Sequence, residues 1–539
     1  MFHSTRKPSM FDKVTTFFQQ HKTILASIGF SLIILICSVF FYKYNSIAVG
    51  YSSKMIVLLG IIAALIVSVL GLFLSKPKLL SRVYFASLLV LGMLYSAVFF
   101  PLSVPDELYH YESSYYYSNL ILGKSPSNDL IEIRETDASL INNAQPRLCK
   151  ESYSNTKKAL LADSSSTLTY MEYPIDSSRA DISNNPPQVR LCSAIGLSVG
   201  QLLGLNGLST FYLGRFFNYL AFALLAYLAF KITPIGKLLF ISLSLLPMTL
   251  HICSSFSYDA IIIGLSFFFI SLCLKAAFSD EKISRKSLIA ITLSAILIAP
   301  CKLIYAFLSF AVLIIPNNKF KSKKDSTKWK LIVICATFAS LFLFHISTLL
   351  SFFLPAASTV TSNSIEQEIT ASTPSQYTFS GLIAAPLNTV FIFANTVLTK
   401  TDFYLNSFLG GSLGWFQSEL ITPWFFILLF LGIILYSARK SETDKVIPSR
   451  KRKIIFMIIS TIIALSAALS MLLGHTETSS LFVEGVQGRY FLPFAPLFFL
   501  LFRTKNTQRS KDSSPLILLT LFALNAMNLI YIWAAMARC

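Results

Sequence analysis

The chain has 539 residues, of which 54% are hydrophobic and only 13% charged, and its mean hydropathy is +0.63. That leaves too little polar surface to cover a soluble protein of this size, and the repeated apolar runs near twenty residues read as membrane spans. A net charge of +19 is not the footprint of a nucleic-acid binder here. The Lys and Arg residues sit in short tracts between apolar runs, where they set topology.

The polar stretch 1–23 is too long for a signal-peptide n-region, and no small-residue cleavage site follows the first apolar run, so that run reads as a retained span. Spans are expected at 24–42, 55–74 and 82–100, and after a long polar segment at 209–230, 237–254, 258–278, 288–300 and 302–316. Five more follow at 329–354, 420–437, 454–473, 489–504 and 515–536. The expected fold is an all-α polytopic membrane protein, a bundle of about 13 transmembrane helices. The stretch 288–316, broken at "APCKLIY", is too long for one helix and short for two.

Charge supports this order. The tracts "SKPKLLSR", "SDEKISRKS", "NNKFKSKKDSTKWK", "ARKSETDKVIPSRKRK" and "RTKNTQRSK" are all net basic, whereas residues 101–190 hold twelve acids against eight bases. The positive-inside rule then gives a cytoplasmic N-terminus at 1–23, three transmembrane helices over 24–100 and an extracytoplasmic loop at 101–208. Transmembrane helices at 209–354, a second extracytoplasmic loop at 355–419 and C-terminal spans at 420–539 complete the order, with the C-terminus outside. The rule also requires 288–316 to cross twice or to re-enter. Interfacial helices are expected in "NNPPQVRLCSAIGLSVGQLLGLNG" and at 380–398. The eight cysteines form no CxxC pair, which supports neither zinc nor a redox motif. Cys149 and Cys192 would be close to an oxidising compartment, and both a disulfide and two free thiols stay open.

Ionisable groups in spans are costly and mark sites. Asp106 and Glu107 follow the third span, Arg215 and Asp259 begin outside-to-inside spans, Lys302 lies at the "APCKLIY" break and Arg489 opens the span in "VQGRYFLP". All six map to one depth, the outer surface. Bland readings exist for each: snorkelling for Arg215, Lys302 and Arg489, helix N-terminal placement for Asp106 and Asp259, and an aromatic belt for the tyrosines after Tyr111. Their convergence favours an outer-leaflet cavity suited to a lipid-linked anionic substrate. Arg489 and Lys302 would hold a phosphate and a carboxylate would act as general base. No P-loop or dinucleotide fingerprint is present.

These pieces resemble the GT-C superfamily of membrane glycosyltransferases, in which the first large outer loop carries an acidic motif, here "PDE" at Pro105–Glu107. More closely, "PDELYH", "LPMTLHICSSFSYDA", "CKLIY", "GGSLGW" and "VQGRYFLPFAP" resemble a bacterial family of predicted membrane proteins of unknown function within that superfamily. The likeness covers roughly residues 82 to 504. Two features depart from the pattern: the usual "HPPLYY" reads "NPPQVR", and two extra spans precede the acidic loop.

The resemblance implies a GT-C-like bundle and transfer of a sugar from a polyprenyl-phosphate donor to a cell-envelope glycan or teichoic-acid-type acceptor outside a bacterial plasma membrane. It implies Asp106 or Glu107 as catalytic base and Arg489 as donor-phosphate ligand. His110, one helical turn from Asp106, would bind substrate or orient the acid, and Tyr111, Arg215, Asp259, Lys302, Tyr305 and Tyr490 would complete the substrate site. Some superfamily members require a divalent cation, Mg or Mn, beside the acidic motif, and both a metal-assisted and a metal-free site stay open. The rival readings are a flippase of a lipid-linked glycan and a non-catalytic partner in envelope polymer assembly.

Overall fold

The computed structural model describes residues 10–50, 53–127, 129–144, 147–161, 169–175, 186–351, 377–415, 421–441, 444–505 and 513–538. The expected cytoplasmic residues 1–9 and the 355–376 part of the second loop lie outside them.

The protein is an all-α polytopic membrane protein. Helices α1 (Met10–Val49) and α2 (Lys54–Leu74) form a hairpin, followed by α3 (Leu80–Val98). A Cβ on Gly60 of α2 would meet the Ser38 side chain of α1 at 2.0 Å, so the small residue is what lets these two helices touch. The polar segment then supplies α4 (Glu107–Ile121), β1 (Leu130–Arg134), α5 (Glu135–Asn143), α6 (Lys150–Leu161) and β2 (Tyr170–Pro174), with β1 and β2 antiparallel and Leu130 opposite Pro174. Helix α7 (Leu191–Leu202) lies against α4 and α8 (Gly207–Ile232). Its Leu191, Ile195 and Leu202 remain exposed, the apolar face expected of an interfacial helix.

The expected span 237–254 is two short helices, α9 (Lys237–Ser244) and α10 (Pro247–Cys253). Pro247 cannot continue α9. The break survives because it is enclosed by protein: the Leu245 carbonyl at the joint accepts a hydrogen bond from Asn525 Nδ2 at 2.9 Å, as unwound backbone at membrane depth requires. Next come α11 (Asp259–Phe278) and α12 (Arg285–Ile298).

Residues Leu303–Ile314 form a 3₁₀ helix. A 3₁₀ helix rises about 2 Å per residue, so these twelve residues reach about 24 Å, much further than an α-helix of equal length. This explains a stretch too short for two α spans. It packs on α13 (Lys323–Ser351), which kinks at His345 (φ −125°) where the imidazole Nε2 lies 2.7 Å from the Pro300 carbonyl.

Helices α14 (Phe379–Ala384) and α15 (Pro386–Leu409) occupy the expected second interfacial region, with Leu387 and Leu398 exposed. After α16 (Trp424–Ser437) and α17 (Arg450–Gly474), a 3₁₀ turn at Gly488–Phe494 leads into α18 (Ala495–Leu500), and α19 (Ser514–Met536) closes the bundle. Among the described residues, eight helices are long and apolar enough to cross a membrane. The other expected spans are the broken, short or 3₁₀ segments just described. Helix α19 is threaded with amides: Asn525 accepts from Tyr95 of α3 at 2.8 Å, and Asn528 accepts from Thr422 at 3.0 Å. Such interhelical bonds fix helix register where no hydrophobic force separates protein from lipid.

Candidate functional site

The site is built on a strained turn. Between α3 and α4, Leu102 (φ 64°) and Asp106 (φ 59°) are the two non-glycine residues with left-handed backbone among the described residues. Asp tolerates that conformation; Leu does so only when the surroundings enforce it. The enforcement comes from Glu107, whose side chain is fully buried and accepts four hydrogen bonds. Two are from Arg215 (Nε to Oε1 at 2.8 Å, Nη2 to Oε2 at 2.6 Å), one from the Leu102 N–H (3.0 Å) and one from the Phe256 N–H (3.1 Å). Arg215 also donates to the carbonyls of Ser96, Phe99 and Phe100, closing the C-terminal end of α3. Trp415 Nε1 donates to the Leu102 carbonyl at 3.3 Å.

This arrangement corrects the expected roles of Glu107 and Arg215. Both side chains are 0% exposed and are saturated by each other and by backbone, so neither has a valence left for substrate. They form a clamp that holds the turn. Asp106, by contrast, is thrown outward: its side chain makes no helix-capping bond and is 54% exposed.

Arg489 reaches Asp106 from the other end of the chain, with Nη2 3.5 Å from Oδ2, and its Nε lies 3.8 Å from Asp259 Oδ2. Its placement depends on Gly488, where a Cβ would meet the Tyr404 carbonyl at 2.0 Å. Only glycine lets the 3₁₀ turn lie this close to α15, and the Gly488 N–H donates to Ser407 Oγ. Asp259 stands in the first turn of α11, where the helix dipole favours a carboxylate.

Lys302 sits at the joint before the long 3₁₀ helix, with Nζ 3.3 Å above the Tyr490 ring in cation–π contact. Lys302 Nζ and Arg489 Nε are buried without a hydrogen-bond partner. Tyr305 donates its hydroxyl to the Tyr490 carbonyl at 3.0 Å and so props the ring that lies under Lys302, a supporting contact in place of the expected substrate contact.

A second half of the site is one that sequence reasoning missed. Arg190, at the head of α7, is fully buried; Nη2 lies 2.7 Å from His110 Nδ1 and its Nε has no partner. The Tyr258 ring joins the halves, 4.8 Å from the His110 ring, 5.4 Å from the Arg190 guanidinium and 5.9 Å from Lys302 Nζ. The available signal was the arginine in "NPPQVR", an ionisable residue beside an apolar helix. Because Arg190 can only donate, His110 Nδ1 accepts and the imidazole is neutral. Burial first, then Arg190, Arg489 and Lys302 around it, hold its pKa well below the usual 6.5.

Tyr111 does not join this site. It is buried in a separate aromatic cluster, its ring 5.1 Å from both Phe211 and Phe256. Cys149 and Cys192 are free thiols, so the pairing left open by the sequence is not made.

The assembled group is three cations (Arg190, Lys302, Arg489) against two carboxylates (Asp106, Asp259), with unsatisfied donors on all three cations. That donor set suits an anion. Both carboxylates face Arg489, and no group of three His, Cys, Asp or Glu side chains placed to hold a metal ion occurs among the described residues.

Residues 88–498 match the family described as "Predicted membrane protein (DUF2142)". The chain belongs to this family. No curated protein and no solved structure matches it. The family match begins within α3 and ends within α18, so it contains the whole charged site from Asp106 to Tyr490. Helices α1, α2 and α19 lie outside it.

Proposed function

We propose that this family member is a glycosyltransferase that moves a sugar from a polyprenyl-phosphate donor to a cell-envelope glycan or teichoic-acid-type acceptor, on the outer face of a bacterial plasma membrane. The observation that carries this reading is the meeting of an exposed carboxylate, Asp106, with a buried cation whose guanidinium retains a free donor, Arg489. The acceptor hydroxyl gives its proton to Asp106 as its oxygen attacks the anomeric carbon. The bond from that carbon to the phosphate oxygen breaks, and polyprenyl phosphate leaves as an anion held by Arg489 and Lys302. Attack opposite the leaving group inverts the sugar centre. Asp259 holds Arg489 in place, and Arg190 with neutral His110 lines the neighbouring wall. The basic tracts between spans support an outward-facing site, with the N-terminus inside and the C-terminus outside.

Asp106→Asn tests it. In cells lacking this protein, the parent chain should restore the missing envelope sugar, and Asp106→Asn at equal membrane abundance should lower its incorporation about a hundredfold or more. Restoration to the parental level by Asp106→Asn would exclude the general-base role. Arg489→Ala should in turn weaken retention of a polyprenyl-phosphate sugar by the purified protein.

A further inference from the structure

Two cavities meet on the polar-segment side of the bundle, and none of Asp106, Asp259, Lys302 or Arg489 lines either of them. The first, of about 500 Å³, lies between α5, α6 and the start of α8. Its wall is rich in hydroxyls and amides, among them Thr136, Ser139, Asn143, Asn155 and Asn206. Asn143 and Asn155 donate their amide nitrogens to the carbonyls of Ser139 and Asn143, which leaves acceptor oxygens. Asn206 spends its oxygen on the Ser209 N–H at the head of α8, which leaves a donor. Thr136 Oγ1 is buried with no partner. One acid, Glu135, and one base, Lys158, stand on the same wall and cancel.

The second cavity, of about 400 Å³, runs between α3 and α8 and is walled mostly by apolar groups such as Met93, Ala97 and Phe216, with Arg215, its charge met by Glu107, also on its wall. Phe100, Thr156 and Leu208 line both cavities, so a polar chamber opens directly into an apolar cleft between two membrane-crossing helices. That is the shape of an amphiphile with a hydrogen-bonding head. A phospholipid phosphate would find no net positive charge in the chamber, and a free sugar would leave the cleft unused.

We infer that this double cavity binds a glycosylated membrane lipid, its uncharged, hydroxyl-rich head in the chamber and its hydrocarbon chain between α3 and α8. The inference goes beyond the transferase reading and does not rest on Asp106. Should that reading hold, the lipid bound here lies against Arg215 of the clamp, and the phosphate-binding cations line neither cavity.

The test is photolabelling of the full-length protein in phosphatidylcholine nanodiscs, using diglucosyl diacylglycerol with a diazirine in one acyl chain. Labels are expected on α3 and α8 around Met93, Ala97 and Phe216. Unlabelled diglucosyl diacylglycerol should compete, and the same excess of phosphatidylglycerol should not. Asn155→Ala, which removes one head-group hydrogen bond, should weaken that competition about fivefold. Ala97→Phe should abolish labelling of the cleft; if that variant does not fold, Asn155→Ala, at a half-exposed position, still decides. Equal labelling by a diazirine phosphatidylcholine would overturn the proposal, since the cleft would then hold any lipid. Competition by free maltose as strong as by the glycolipid would overturn it too. Labelling requires no turnover, so Asp106→Asn protein should label like the parent even if it loses no activity, which keeps the two readings separable.

Discussion

A buried guanidinium stays charged, so the fold tolerates it only while a carboxylate faces it. Arg215 has that partner in Glu107, with no water-exposed route for either. Replacing Glu107 by Gln keeps the shape and removes the charge, which leaves a buried, uncompensated cation at a cost of about 3–5 kcal/mol. We therefore expect Glu107→Gln to lower the thermal midpoint of the purified protein sharply, whereas Asp106→Asn, at a half-exposed carboxylate, leaves it near the parent value. Equal midpoints for Glu107→Gln and the parent would show that the clamp is not needed. The two adjacent acids carried the same signal in the sequence, since both follow Pro105 at the end of an apolar run. What decided between them is the left-handed turn at Asp106, which points one carboxylate out and the next in. Charge at a shared depth was legible; which charges neutralise one another was not, because pairing is set by helix rotation and by residues more than a hundred positions apart. Arg190 was hidden for a similar reason, as its role depends on an imidazole 80 positions away.

Among elements, 3₁₀ segments account for two of the five expected spans that are not long α-helices, at 302–316 and 489–504. Hydropathy counts residues at an α-helical rise, and Leu303–Ile314 reaches further per residue than that count assumes. The proline breaks at Pro247 and Pro300 were visible as residues, but their consequence depended on whether protein enclosed the freed backbone. The 3₁₀ turn carrying Arg489 gives a sharp prediction. A methyl group at Gly488 would strike the Tyr404 carbonyl and the Phe408 N–H, both backbone, so the turn itself must retreat from α15. Gly488→Ala should then reproduce the donor-binding loss of Arg489→Ala while the arginine is still present. Donor retention equal to the parent would show that Arg489 does not depend on this close approach.

For the molecule as a whole, acid is the simplest perturbation of the site. His110 is neutral when folded and has a pKa well below 6.5, whereas the unfolded chain would take up a proton near 6.5. Below that pH the unfolded state binds more protons than the folded one, so stability falls as pH drops and is recovered above it. The thermal midpoint should therefore decline from pH 7 to pH 5.5, and His110→Asn, which can still accept from Arg190, should flatten that decline. An unchanged slope in His110→Asn would place the sensitivity elsewhere. The polytopic all-α architecture follows from composition and charge alone, while the inner order of the bundle depends on α19, whose asparagines tie α3, the α9–α10 joint and the segment before α16 into one register.

The pairing of Asp106 with Arg489 spans 383 positions, and the turn beneath it waits for Arg215, Phe256 and Trp415. During synthesis, a chain with only its first helices threaded into the bilayer already displays Asp106, yet lacks everything that would aim it. The charged group therefore assembles late and all at once, when the segment bearing Arg489 has emerged from the ribosome and docked. A nascent or prematurely terminated product has Asp106 without the cation that faces it.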